Sequence, residues 1–178
     1  SNDIVKTQIL STLIDWKDDN GLKLYYELLS EHPPVKDVYA YKILSAFSDS
    51  LSLANDNIQL LTKLFEMEDY KVQVLRICSS LYNSDSSIYQ HSVMNVLPQL
   101  TEFVNSDFEI YFQNLNRSKN AYNYSALIYQ YLVFFRNTEK LNYSNLCLKL
   151  LDSKYVPDYL KSAAITNCII NETKIPSK

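Results

Sequence analysis

A chain of 178 residues with one glycine, Gly21, has almost no means of making two-residue strand hairpins or loops that wrap a phosphate. Both need backbone angles that cost little only to a residue without a Cβ. What recurs instead is a helical pattern. Candidate amphipathic helix pairs begin near Asp3, Asp37, Tyr70, Asp107 and Asn142. The intervals are 34, 33, 37 and 35 residues, the length of one helix–turn–helix unit in a stacked array. One hairpin cannot cover its own apolar face, so neighbours must stack and bury a continuous core. The expected fold is all-α, about ten helices as stacked antiparallel hairpins in a single domain over residues 1–178.

Apolar spacings of three and four place the helices. The first covers 3–16, with Ile9, Leu10, Leu13 and Ile14 on one face, and the second 21–31, with Leu22, Tyr25, Leu28 and Leu29. After the break at His32-Pro33-Pro34, a third over 36–48 carries Ala40, Ile43, Leu44 and Phe47. Asn55-Asp56 is expected to cap a fourth with Ile58, Leu61, Leu64 and Phe65. Acidic Glu66, Glu68 and Asp69 open a fifth with Tyr70, Val74, Ile77, Cys78 and Leu81. A sixth over 86–104 contains Pro98, which is expected to kink or split it. Ser106 with Glu109 reads as a capping box that starts a seventh, with Phe108, Tyr111, Phe112 and Leu115. The eighth, 121–136, has Tyr124, Leu127, Ile128, Tyr131, Leu132 and Phe135 inward. Leu146, Cys147, Leu150 and Leu151 mark the ninth, and Pro157 suits the first turn of the tenth.

Net charge narrows the partners. Seventeen basic residues against twenty acidic ones give −3, and the basic residues are scattered singly. Neutralising phosphates needs a basic field, so direct nucleic-acid binding is disfavoured, and a nucleic-acid-associated repeat factor is the third-ranked reading. Cys78, Cys147 and Cys168 are far apart, odd in number and on apolar stripes, which suits a reducing intracellular compartment, cytoplasm or nucleus. No apolar run reaches the ~20 residues needed to span a bilayer.

Enzyme signatures are absent from the sequence: no phosphate loop, no nucleophile elbow, no zinc-binding helix motif. His91 on the sixth helix could face Cys78 as a Cys–His dyad, but a hydrogen-bonded structural histidine is the expected outcome. His32 reads as a loop residue. The Glu66, Glu68 and Asp69 cluster reads as a solvated helix start rather than a metal site. No catalytic residue, metal or cofactor is expected. The tyrosines carry the one binding signal, fifteen in all. Tyr89, Tyr122 and Tyr129 fall off the apolar stripes of second helices, where they would form an aromatic strip along a groove.

At Asp69-Tyr70-Lys71-Val72 with Arg76, and at Pro157 with Leu160, Lys161 and Ala163-Ala164, the chain resembles HEAT or armadillo repeats. The resemblance implies a protein–protein scaffold and transfers no site residues. Tetratricopeptide repeats match the 34-residue interval, but their Trp, Leu-Gly, Tyr and Pro landmarks are missing. The expected function is a non-enzymatic scaffold that binds another protein or peptide through a helical-repeat groove, as a subunit of a larger complex. The alternative is a compact helical domain that binds a short, possibly phosphorylated, peptide tail. Leu160, Ala163, Ala164, Ile165, Cys168, Ile169 and Ile170 on the last helix, and Ile4, Val5, Ile9, Leu10, Leu13, Ile14 and Trp16 on the first, exceed what one stripe can bury, so the chain is expected to be an excerpt. Far-UV circular dichroism should be dominated by helix and unchanged by chelator or reductant; substantial strand signal would overturn the fold class.

Overall fold

The computed structural model describes residues 12, 21–23, 25, 38–114, 121–138 and 144–170. Every regular element among them is helical. In chain order they are α1 (Val38–Asp49), α2 (Leu51–Asp56), α3 (Ile58–Phe65), a 3-10 turn (Glu68–Tyr70), α4 (Lys71–Tyr82), α5 (Ser87–Asn114), α6 (Ala121–Thr138), α7 (Ser144–Asp152) and α8 (Asp158–Ile170). Residues 12, 21–23 and 25 are helical too, and Leu22 and Tyr25 are buried as expected. The rest of the first two predicted helices, His32, and the unit starts at Asp3, Asp37 and Asn142 lie outside the described residues. None of the described helices is long and apolar enough to cross a membrane. The chain divides into two compact units, Ser1–Ile77 and Cys78–Lys178, with the division inside α4.

In the first unit, α1 buries the predicted stripe of Ala40, Ile43, Leu44 and Phe47. It stops at Ser50, whose backbone is extended and whose hydroxyl accepts from Leu53 N–H, starting the short helix α2. That helix occupies residues read as a connection. The expected cap also moves: Asp56 ends α2, and Asn57 donates its amide back to Leu53 O at 2.9 Å without capping α3 by its side chain. Asparagine serves either helix end, and the carbonyls left open by α2 were nearer. α3 then buries Leu60, Leu61, Leu64 and Phe65, while Lys71 lays its ammonium 5.8 Å from the Phe65 ring centroid. The acidic opening of α4 is a 3-10 turn with Glu68 and Asp69 exposed.

The second unit corrects the sequence reading most. Residues 87–114 form one helix where two were expected. Pro98 lies inside it, exposed, and removes one backbone donor. An internal proline costs about 3 kcal/mol, whereas each fully buried aliphatic side chain returns about 2 kcal/mol. Val93, Val96, Leu97, Leu100 and Val104 flank it and are all buried, so packing carries the helix through. Ser106 cannot act as a cap because the residues around it are already helical, and Glu109 instead reaches Lys149 of α7 at 3.5 Å. The unit boundary expected at Asp107 therefore does not exist.

Asp107 is instead a buried contact. Tyr131 of α6 donates its hydroxyl to Asp107 Oδ2, and its ring lies 6.1 Å from that of Phe108. One turn on, Tyr111 Oη meets Ser125 Oγ at 3.3 Å. Residue numbers rise on α5 as they fall on α6, so the two form an antiparallel hairpin. α8 packs against both α7 and α6. Asn167 of α8 donates to Leu132 O of α6 at 3.2 Å and to Ala163 O at 3.0 Å. Further back along both helices, Tyr129 meets Tyr159, so α6 and α8 run parallel. We expect Tyr131→Phe to lower stability by about 1–3 kcal/mol, since a buried hydrogen bond to the Asp107 carboxyl is lost, read as a lower urea midpoint at unchanged m-value. A change below a few tenths would mean that the pair contributes nothing.

Candidate binding groove on α6 and α8

The stripe that buries α6 is Leu127, Ile128, Tyr131, Leu132, Phe134 and Phe135. Tyr129, Val133 and Arg136 fall about 120° or more from its centre, at spacings of four and three, and so share a second face. The matching face of α8 is Tyr159, Ala163, Thr166 and Ile170, spaced four, three and four, beside the buried Leu160, Ala164 and Cys168. Between the two faces lies a groove of about 360 Å³, within the range of ligand-sized clefts. Leu132, Val133 and Ala163 supply its apolar surface; Arg136, Ser162, Thr166 and Asn167 supply the polar groups.

The rim is aromatic. Tyr129 and Tyr159 meet edge to face, with centroids 5.9 Å apart and planes at 63°. They remain 38% and 44% exposed, so the pair is formed but not sealed. Thr166 uses its proton on Ser162 O at 3.0 Å. Both amide protons of Asn167 go to carbonyls, which fixes its nitrogen toward them and leaves its oxygen as the atom a ligand could use. Arg136 forms no ion pair or hydrogen bond among the described residues. No carboxylate is in the groove's described lining.

Of the three tyrosines expected to share a strip, Tyr129 is in this groove. Tyr89 is not: with Asp107 level with Tyr131, it sits nearly twenty residues up α5, about 30 Å of helix away. It is half-buried in the first turn, its N–H donating to Ser86 Oγ. The Tyr122 side chain lies outside the described residues. The missed member is Tyr159. It carries the same signal that pointed to Tyr129, an aromatic beside rather than on the apolar stripe. Arg136 was overlooked because a basic residue in the last turn of a helix is ordinary.

The cysteine–histidine pair does not form. Cys78 is buried, its thiol pushed up to about 12 by desolvation, while His91 is exposed. A nucleophilic cysteine needs the opposite shift. Cys147 is likewise pushed up to about 12, first by burial and then by Cys168, to which it donates where α7 packs on α8. Burial also raises Cys168. Glu66, Glu68 and Asp69 are exposed, with Glu66 paired to Lys63 at 3.0 Å. No group of three metal-binding side chains occurs among the described residues.

Comparison with family models, curated proteins and solved structures returned no match.

The buried thiols make a direct prediction. At pH 8 an aromatic disulfide reagent should label Cys78, Cys147 and Cys168 only slowly in the native chain and all three at once in urea. Above pH 9, where unfolded thiols ionise, the folded Cys78 and Cys147 keep their protons, so they contribute a loss of stability as pH rises toward 12. Rapid native labelling would show the thiols to be open.

Proposed function

We propose that this chain is a non-enzymatic protein–protein interaction module, a HEAT-like stack of helical hairpins that offers the α6–α8 groove to a partner segment within an intracellular complex. The observation that carries this reading is the half-exposed Tyr129–Tyr159 pair on the groove rim. Tyrosine brings large contact area with little rotamer entropy to lose, so it is favoured where surfaces meet. The stack supports it. α5 and α6 form one hairpin; α7 and α8 follow it. The second helices, α6 and α8, pack in parallel, and the first helices are joined by Lys149, which contacts Glu109 and lies 5.6 Å from the Phe112 ring centroid. That is the neighbour pattern of stacked hairpins.

The compact peptide-binding domain remains the alternative, and one observation weighs against it. Ile165 and Ile169 are 39% and 66% exposed on the side of α8 turned away from α6, as in an open array rather than a closed bundle. Three buried thiols suit an intracellular setting. A nucleic-acid-associated role draws little support from a groove whose described lining has Arg136 as its one cation.

The test pairs capture with stability. Tyr129→Ala with Tyr159→Ala should weaken capture of the native partner more than about tenfold, as exposed aromatic anchors do. The melting temperature should stay within about 3 °C, because neither ring is in the core. Tyr89→Ala should leave capture unchanged. If the double variant captures as well as the parent, or Tyr89→Ala alone abolishes capture, the groove is not the binding surface.

A further inference from the structure

The chemistry of the groove selects a class of partner. We infer that it takes a short acidic peptide segment, with a carboxylate side chain paired to Arg136 and a neighbouring apolar side chain held by Tyr129 and Tyr159; this rests on the groove's being the interaction site. Charge complementarity carries the first part. Arg136 is half-buried, without an ion pair among the described residues, and no acidic residue is in the groove's described lining. A guanidinium presents a planar fork that fits a carboxylate with two parallel hydrogen bonds. The one cation of the described lining matches one carboxylate; a phosphate dianion would meet there half the opposite charge it needs.

The peptide nature comes from Asn167. Both of its protons are committed to Leu132 O and Ala163 O, so its oxygen can only accept. A peptide backbone supplies an N–H donor beside each side chain, within reach of such an acceptor. The length of the face agrees. Tyr159, Ala163, Thr166 and Asn167 line the groove along α8, an advance of eight residues or about 12 Å. That reach suits about four extended residues.

A random heptapeptide library displayed on phage, selected against the whole chain, tests this. Selected peptides should carry Asp or Glu next to an apolar residue. The best of them, made synthetically, should bind Arg136→Gln about tenfold more weakly. Arg136→Glu should reverse the selection toward Lys and Arg. Circular dichroism checks that Arg136→Gln is folded, so the test stands on that variant if Arg136→Glu is not. Peptides that lose binding with Tyr129→Ala and Tyr159→Ala but show no acidic preference overturn the carboxylate assignment and leave the interaction reading standing. A selection that yields no peptide, or only peptides indifferent to both tyrosines, overturns both.

Discussion

A backbone carbonyl inside a helix already accepts one proton from the residue four positions on and keeps a second lone pair for other use. On α6, Leu132 O offers that lone pair to Asn167 of the parallel helix α8. The second proton of the same amide returns to Ala163 O on its own helix. Side-chain packing alone lets two helices slide along each other with little change in buried area. A buried amide bonded across the seam does not, because a shift of one residue would leave its proton to Leu132 O unsatisfied at a cost of about 1–3 kcal/mol, while the bond to Ala163 O on its own helix holds the amide's direction. This clamp sets which α8 residues stand across from Tyr129 and Arg136. The groove follows from it.

The apolar stripes of α1, α4, α6 and α8 were legible because burial on one helical face is a period that the sequence records directly. Ala40, Ile43, Leu44 and Phe47 are all buried, as are Val74, Ile77, Cys78 and Leu81. What failed were end signals. Pro98 and the Ser106–Glu109 pair are local features, and each promised a boundary that five buried aliphatic side chains overrode. Ser50 did the reverse, starting a six-residue helix too short to show a period. Local capping energies are about 1 kcal/mol, so packing decides wherever the two conflict.

The groove was half legible. Tyr129 could be found because it stands off a clear stripe, and Tyr159 obeys the same rule. Their meeting could not be found, since it depends on the register of two helices thirty residues apart in sequence. Tyr89 shows the limit from the other side: its helical position was read correctly, but its distance from Tyr129 depends on α5 being continuous. Tertiary register is not written in any one segment.

The C-terminal turn and a half of α8 has an unusual composition. Four of its last six residues, Ile165, Thr166, Ile169 and Ile170, are β-branched, and each gives up roughly half a kcal/mol of helix propensity relative to alanine. Ile165, Ile169 and Ile170 are exposed, so burial returns little of that loss; Asn167 and Cys168 alone anchor the segment inward. The helix–coil equilibrium is therefore least favourable at the end of α8 that bears Thr166 and Ile170. A ligand packed against Thr166 would shift that equilibrium toward helix, so part of its binding free energy would go into holding this stretch wound. Affinity for the groove and local helix stability would then be linked quantities.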